Sequence, residues 1–397
     1  MHTPLEGIKI LDFSTLLPGP CGSMLLADLG ADVVRIESLD RHDMIKKVPP
    51  FKNGVSAAHS YLNRSKKSLA LDLKSPEATP IIHNLVKEFD IVIEQFRPGV
   101  MKKLKLSYED LKETNPQLIY CSLTGYGQRG SFHTKAGHDI NYLSLSGISS
   151  YTGKKDTGPI PIGVQLADVA GGSHYLAISI LSAIIFRSRT QKGQHIDISM
   201  TDASFSLNNI YGASSLAGGP APSYESTMLN GASLYDFYET KDERYISVGC
   251  LEPIFVENFF KALQQPELLE FCQNPDPMVQ NELKSKVKNI IKQKNLDEWM
   301  EIFSHVDACV EPVLNLDESL KHKLFKEREM IIKVKDQHAE KNIDQIACPI
   351  KFSESKAQYR HTGVPLGNDT VEILTSLGYS EQTIADLRKN RIILQHS

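Results

Sequence analysis

Strand-like and helix-like segments alternate through the first third of the chain. Five short apolar runs predict strands, at residues 9–13, 32–37, 69–73, 90–94 and 118–123. The stretches between them predict helices; Ser75 and Pro76, for example, match a helix cap followed by proline at the first helical position. Strands that alternate with helices predict an α/β fold, with a doubly wound parallel sheet covered on both faces.

The length and texture of the chain indicate more than one domain. Its 397 residues are enough for two domains with a sizeable core. We expect a large domain over residues 1–200 and a linker over 201–230, where Gly, Ala, Ser and Pro are frequent. A smaller α+β domain is expected over 231–325, followed by a C-terminal segment over 326–397.

Composition argues against several classes of partner. The formal net charge of -4 gives no reason to expect binding to nucleic acid or an anionic membrane. The longest apolar stretch, residues 176–186, is interrupted by Ser179 and Ser182 and is too short to span a bilayer, so we expect a buried helix. The N-terminus does not resemble a signal peptide, and scattered cysteines without C-x-x-C pairs are typical of reduced thiols. We therefore expect a cytoplasmic protein without a metal site.

The turn after the first strand invites a dinucleotide interpretation. Pro18, Gly19 and Pro20 lie between a predicted strand and a helix, and Glu37 ends the next strand. The G-x-G-x-x-G pattern is absent, however, and the two prolines remove backbone donors that a pyrophosphate would use. We expect a structural crossover turn instead of a nicotinamide site.

Basic residues and one aromatic residue follow predicted strands. Lys74 follows the third strand, and Phe96 and Arg97 follow the fourth. Loops at the carboxyl ends of parallel strands are where such sheets bind ligands. These residues suit an anionic ligand that carries adenine, and they equally suit a solvated basic surface.

His138, Asp168 and Glu252 are candidate acid/base residues. A neutral imidazole and a carboxyl group that converge on one carbon can remove a proton from one face and return one to the other. That is the chemistry needed to invert a stereocentre beside a carbonyl group. Taken singly, His138 also fits a structural role, Asp168 a helix cap and Glu252 a loop residue.

The chain resembles the family III CoA transferases over nearly its whole length. The resemblance rests on runs at residues 4–9, 17–20, 31–37, 67–74, 96–100, 137–142, 167–168, 193–197, 366–367 and 377–379. Gly-His-Asp-Ile-Asn-Tyr at 137–142 and Leu-Glu-Pro at 251–253 point to the racemase branch of the family. One departure is Ser38, where racemases commonly carry arginine; Arg41 lies nearby.

The resemblance implies a fold and an assembly. The large domain would be Rossmann-like and bind CoA, and the C-terminal segment would return to it. Two subunits would interlock as a homodimer, with the active site between the large domain of one subunit and the small domain of its partner.

The resemblance also implies site residues. His138 and Asp168 match the two acid/base residues, and Glu252 matches a supporting carboxylate. No metal is implied. The implied CoA contacts are Leu71, Asp72, Leu73, Lys74, Phe96, Arg97, Gly137, Asp139, Ile140, Asn141 and Tyr142.

The activity implied is inversion of C2 in 2-methylacyl-CoA thioesters, by 1,1-proton transfer through an enolate. Coenzyme A would be part of the substrate, and no further cofactor would be required. The alternative is CoA transfer between carboxylic acids through a mixed anhydride at Asp168. A third interpretation is an acyl-CoA binding protein without catalysis.

Overall fold

The computed structural model of the protein describes residues 2–339 and 341–396. The chain forms two compact units, each assembled from separate stretches of sequence. The first unit consists of Met1–Ser146, Ile162–Leu207 and Leu324–Ser397. The second unit consists of Gly147–Pro161 and Asn208–Lys323. The chain therefore leaves the first unit twice and returns to it twice.

Seven strands form the central sheet of the first unit. From one edge to the other they are Gln194–Ser199, Ile119–Thr124, Ile91–Glu94, Lys9–Asp12, Asp32–Glu37, Lys66–Leu71 and Ile393–Leu394. Every neighbouring pair is parallel except the last, in which the C-terminal strand runs antiparallel. This large, mostly parallel sheet confirms the predicted α/β class, and all five strands predicted in the first third of the chain are present.

Apolar strand residues and the surrounding helices form the core of the first unit. Ile10, Leu11, Val92 and Ile93 are fully buried, because helices cover both faces of a parallel sheet. The helices are Pro18–Asp28, Ala57–Leu62, Ala78–Val86, Val100–Lys103, Tyr108–Leu111, Asp139–Leu145, Tyr175–Thr190, Met200–Ser206, Thr370–Ser376 and Glu381–Lys389, with a π-helix at Ala167–His174 and a 3₁₀ turn at Met44–Lys47. Two hairpins complete the unit, Phe51–Lys52 with Val55–Ser56 and Ile331–Lys335 with Asn342–Ile346.

The second unit packs helices around a three-stranded antiparallel sheet. Its strands are Asp236–Glu239, Tyr245–Val248 and Val310–Pro312. Trp299 lies buried in its core, and the indole N–H donates to the Ile291 carbonyl at 2.8 Å. Its other elements are the helices Asn209–Leu216, Pro253–Ala262, Leu269–Cys272, Pro277–Ile291, Leu296–Phe303 and Leu316–Lys321, 3₁₀ turns at Ile148–Ser150 and Pro266–Leu268, and the hairpin Gly153–Lys154 with Gly158–Pro159. The helix Lys323–Glu327 spans the boundary with the first unit.

The segment 201–230 differs from the predicted linker. It contains most of the helix Met200–Ser206 and all of Asn209–Leu216. Ser199 caps the first of these helices, with its hydroxyl accepting the Asp202 N–H at 3.1 Å. Gly and Ser lower helix propensity by about 0.5–1 kcal/mol each, an amount that packing readily overrides. The second unit also includes residues 147–161, which we expected in the large domain.

The apolar helix is less buried than the sequence predicted. The π-helix and Tyr175–Thr190 form one 24-residue helix that is long and apolar enough to cross a membrane by length and composition. Only 33% of its most apolar window is buried, and Ile178, Ile185 and Phe186 are 57%, 54% and 43% exposed. The helix is present, but the expectation that it is buried is wrong for these three side chains, because apolar periodicity does not reveal what covers a face.

Arg64 and Asp28 form a buried ion pair that also holds the C-terminal part of the first unit. Their side chains are 1% and 0% exposed. The guanidinium donates to both carboxylate oxygens, at 2.9 and 2.6 Å, and to the Ile346 carbonyl at 2.7 Å. The rings of Tyr61 and Tyr359 lie 4.7 and 5.0 Å from its central carbon. Removing either charged partner would leave the other buried and uncompensated.

Replacing Arg64 therefore tests how much this pair stabilises the first unit. We expect Arg64→Met to lower the free energy of unfolding by about 3–5 kcal/mol, because Asp28 loses its buried counter-charge. Urea denaturation followed by circular dichroism measures the change. The exposed pair of Lys67 and Glu372 provides the control, since Lys67→Met should change stability by about 0–1 kcal/mol. Equal effects of the two substitutions would contradict the prediction.

Candidate active site

A cavity of about 260 Å³ lies at the carboxyl edge of the central sheet. Residues that follow four neighbouring strands line it, among them Leu16, Gln95, Gly125 and Met200. This edge is where sheets of this kind bind their ligands. The cavity brings together six of the residues predicted from sequence, which are Phe96, Arg97, Gly137, His138, Tyr142 and Asp168.

His138 lies at the start of the helix Asp139–Leu145. Its backbone is extended, and its N–H donates to the side-chain oxygen of Asn141 at 3.0 Å. A side chain at the third helical position thus satisfies a backbone donor at the helix start. His138 itself is exposed, so its imidazole is accessible to a ligand in the cavity.

Asp168 lies half-buried at the second residue of the π-helix. Its backbone N–H donates to a carboxylate oxygen of Asp139 at 3.0 Å. Burial, and then the charge of Asp139, raise the pKa of Asp168 to about 6, while the charge of His138 acts to lower it. A carboxyl group with such a pKa gains and loses a proton readily near neutral pH, as an acid/base catalyst must.

Two glycines let the π-helix pack against its neighbours. A Cβ atom on Gly171 would lie 3.2 Å from the Met200 carbonyl oxygen, and one on Gly172 would lie 3.0 Å from Pro18. The hydroxyl of Ser173 donates to the Pro18 carbonyl at 2.7 Å. These contacts fix the helix that carries the candidate carboxylate against the turn after the first strand. π-Helical turns are rare and frequently occur at functional sites.

Tyr142 fixes the segment before the candidate histidine. Its hydroxyl donates to the Gly137 carbonyl at 2.5 Å, and its ring meets Tyr126 edge-on with centroids 5.3 Å apart. A Cβ atom at Gly137 would lie 2.5 Å from the Tyr126 hydroxyl and 2.7 Å from the Tyr142 ring, so a larger residue fits only if these side chains move. Burial and the charge of Asp168 raise the pKa of Tyr142 to about 12, so its hydroxyl stays protonated at neutral pH.

Seven of the predicted CoA contacts lie outside this cavity, namely Leu71, Asp72, Leu73, Lys74, Asp139, Ile140 and Asn141. The side chain of Leu71 is fully buried in the core, so it cannot touch a ligand. Lys74 is exposed on the turn after its strand. Asp139 and Asn141 instead accept backbone N–H groups at the two helix starts. Sequence reasoning did not predict this positioning role.

Glu252 belongs to the second unit, whereas the cavity is formed by the first. It follows the strand Tyr245–Val248 and directly precedes the helix Pro253–Ala262. Glu252 is exposed. It is therefore available to a group outside its own unit.

His133 and Lys135 line the cavity, and sequence reasoning missed both. The imidazole Nδ1 of His133 lies 2.7 Å from the Gly130 carbonyl, and the Lys135 ammonium lies 3.8 Å from the centre of the Phe132 ring. Together with Arg97 they bring three basic side chains to one cavity, which favours an anionic ligand. The one sign in the sequence that these two residues belong to the site is that they lie within five residues of His138.

The cysteines and other metal-binding side chains are dispersed. Within residues 2–339 and 341–396, no group of three or more His, Cys, Asp or Glu side chains is placed to hold a metal ion. The six cysteines are free thiols at Cys21, Cys121, Cys250, Cys272, Cys309 and Cys348. The chemical groups that the cavity offers are acids, bases and hydrogen-bond donors.

The sequence matches CoA-transferase family III over residues 5–370. It is 36% identical to alpha-methylacyl-CoA racemase from Homo sapiens, over 98% of this chain and 97% of that protein. It is also 29% identical to succinyl-CoA:glutarate CoA-transferase from Homo sapiens, over 99% of this chain and 90% of that protein. Similarity thus extends to racemases and to CoA transferases.

A solved structure shares the fold. It is a CAIB/BAIF family protein from Brucella suis, which superposes with a TM-score of 0.83 at 30% identity, covering 95% of this chain and 100% of that chain. The resemblance drawn from the sequence motifs is confirmed. The chain belongs to CoA-transferase family III, and it is an enzyme of the racemase or CoA-transferase kind.

Proposed function

We propose that the protein inverts C2 of 2-methylacyl-CoA thioesters by transferring a proton between the two faces of that carbon. The observation that carries this proposal is that His138 and Asp168 line one cavity. An imidazole and a carboxyl group supply the two acid/base groups that stereoinversion needs. The similarity to alpha-methylacyl-CoA racemase supports the same conclusion.

The mechanism begins with loss of the proton at C2. The thioester carbonyl acidifies this C–H bond, and neutral His138 takes the proton while the electron pair forms the enolate. Protonated Asp168 then donates its proton to the opposite face of C2, and the roles reverse for the other enantiomer. Each positioned acid or base typically contributes about 10²–10⁴-fold to the rate. A pKa of about 6 gives Asp168 access to both protonation states.

The enolate oxygen needs a hydrogen-bond donor. The N–H of His138 is already bonded to Asn141. We propose that the N–H of Asp139, the first residue of the helix, donates to the oxygen, because first-turn N–H groups have no partner within their helix. Losing one such donor typically costs about 3–4 kcal/mol of transition-state stabilisation.

The basic side chains of the cavity suit the anionic part of coenzyme A. Arg97, His133 and Lys135 line the same cavity as the acid/base pair, and charge-assisted hydrogen bonds to phosphate are among the stronger polar contacts. We propose that CoA enters only as part of the substrate. Protein side chains carry both proton transfers in this mechanism, so we expect that it requires no additional cofactor or metal.

CoA transfer is the second candidate function. Ionised Asp168 would attack the acyl carbon of a thioester, the CoA thiolate would leave, and an aspartyl mixed anhydride would remain. A specific observation favours keeping this candidate, since the chain is also similar to succinyl-CoA:glutarate CoA-transferase over 99% of its length. It gives no role to His138, which lines the same cavity. A binding protein without catalysis is the third outcome of the experiment below.

The assembly we propose is a homodimer in the cytoplasm. A second copy would cover the exposed apolar face of Ile178, Ile185 and Phe186, and exposed apolar patches commonly mark such interfaces. We propose that Glu252 orients His138 within this dimer. We expect neither nucleic acid nor a membrane as partner.

The chemistry is tested by incubating each enantiomer of a 2-methylacyl-CoA with the enzyme in D₂O. We expect deuterium at C2 and loss of optical purity, and His138→Ala should slow exchange from at least one enantiomer by about 10²–10⁴-fold. Nuclear magnetic resonance measures the exchange, and circular dichroism verifies the fold. Exposed His42 provides the control substitution, His42→Ala. CoA transfer to an added carboxylate without deuterium exchange would establish the transferase. If neither reaction occurs, the protein would be an acyl-CoA binding protein without catalysis.

The acid limb of the pH profile should report Asp168. The pKa of Asp168 is raised to about 6, so at lower pH its carboxyl group is protonated and cannot act as a base. For the enantiomer whose proton Asp168 removes, kcat/KM should therefore fall as the pH decreases through 6. Asp139→Asn removes the neighbouring negative charge but keeps an acceptor oxygen. The pKa of Asp168 should therefore fall, and the acid limb should move to lower pH. The assignment of the acid limb to Asp168 would be contradicted if Asp139→Asn left the pH of that limb unchanged. It would also be contradicted by an equal shift in the exposed control Asp156→Asn.

The homodimer is tested by sedimentation equilibrium. The wild-type protein should have twice the chain mass, and the double substitution Ile185→Asp and Phe186→Asp should shift it to monomer, because charges in an apolar interface are strongly unfavourable. Met278 is 80% exposed on a helix of the second unit, and Met278→Asp serves as the control. A wild-type monomer that binds lipid vesicles through this face would contradict the proposed assembly.

A further inference from the structure

Glu94 is a buried carboxyl group at the end of a central strand. It is the last residue of Ile91–Glu94 and is 4% exposed. The groups that act on it are the Ser122 hydroxyl, the Phe96 N–H and the charge of Asp197, none of which is a cation. Acidic residues are rarely buried unless they are paired. The contacts of Glu94 therefore indicate why a carboxyl group is buried at this position.

Glu94 lies beside a hydrogen-bonded pair of side chains on the next two strands of the sheet. Ser122 is the register partner of Glu94 on the neighbouring strand, and its hydroxyl lies 2.9 Å from Nε2 of His195. The His195 ring is held in turn by Tyr108, stacked with centroids 5.6 Å apart, and by Tyr120, edge-on at 5.4 Å. The residue beside Glu94 is therefore itself held in place by the next strand.

The hydrogen bond between Glu94 and the Phe96 N–H shapes the cavity wall. One carboxyl oxygen accepts the Phe96 N–H at 2.8 Å, which bends the chain as it leaves the strand. The side-chain oxygen of Gln95 accepts the Gly19 N–H at 2.9 Å from the opposite side. Phe96 and Arg97 line the cavity within the segment that these two bonds hold.

We propose that Glu94 is a positioning residue, which accepts the Phe96 N–H and so holds Phe96 and Arg97 in the conformation that binds coenzyme A. The proposal rests on the CoA-dependent function proposed above. The requirement is an acceptor oxygen and not a charge, because a neutral carboxyl group also has an accepting carbonyl oxygen. Burial raises the pKa of Glu94 to about 7, so both forms occur near neutral pH.

Two substitutions separate the acceptor from the charge. Glu94→Met keeps the length of the side chain without an acceptor, whereas Glu94→Gln keeps an acceptor without a charge. We expect Glu94→Met to raise the Kd for free coenzyme A about tenfold, and Glu94→Gln to stay within about twofold of wild type. Isothermal titration calorimetry measures binding. At saturating thioester, kcat should be unchanged in both variants, because the acid/base groups stay in place.

The outcomes distinguish this proposal from the function on which it rests. A wild-type protein that does not bind coenzyme A would reject the proposed function itself. Wild-type binding with an unchanged Kd in Glu94→Met would overturn the positioning role, and so would equal losses in the Met and Gln variants. Exposed Glu88 provides the control, Glu88→Ala. If Glu94→Met does not fold, Ser122→Ala removes the hydroxyl of the register partner of Glu94. It should raise the Kd about threefold, and no change there would also overturn the proposal.

Discussion

Asp139 connects the backbones of the two residues on which the proposed chemistry depends. Its carboxylate accepts the backbone N–H of Asp168, while its own backbone directly follows His138 as the first residue of a helix. That helix has seven residues, too few to be stable by itself. Its placement therefore depends on contacts with its neighbours. The same carboxylate that fixes the geometry also raises the pKa of Asp168, so position and protonation are set by one residue.

Buried polar groups hold the turn against which the π-helix with the candidate carboxylate packs. The Lys66 ammonium is fully buried and donates to the Pro20 carbonyl at 2.8 Å and to Ser23 at 2.7 Å, with the Asp12 carboxylate 3.6 Å away. Burial lowers the pKa of Lys66 to about 8. Desolvating a charge is unfavourable unless hydrogen bonds replace the lost water. Here those bonds fix the turn after the first strand, and with it the π-helix.

The sequence predicted what periodicity and local motifs encode. The sheet followed from apolar strands alternating with helices. The resemblance of residues 137–142 and 167–168 to the family picked out His138 and Asp168, which line one cavity, and their acid/base roles stay a prediction. Lys135 was missed because an isolated basic residue in a loop is indistinguishable from solvated surface. The helix Asn209–Leu216 was missed because its small residues are also typical of linkers. The burial of Leu71 depends on the C-terminal strand pairing beside it, a contact between distant parts of the chain.

The presence of two acid/base groups in one cavity bears on which of the two candidate activities the site favours. A two-base inversion leaves its acid and its base with exchanged protonation states after each turnover, so both must exchange protons with solvent. An exposed imidazole and a carboxyl group of pKa about 6 satisfy that need. A nucleophilic carboxylate needs only its ionised form, which a pKa of about 6 also supplies at neutral pH. What separates the two candidates is the imidazole that lines the same cavity, because two-base proton transfer uses it and anhydride formation does not.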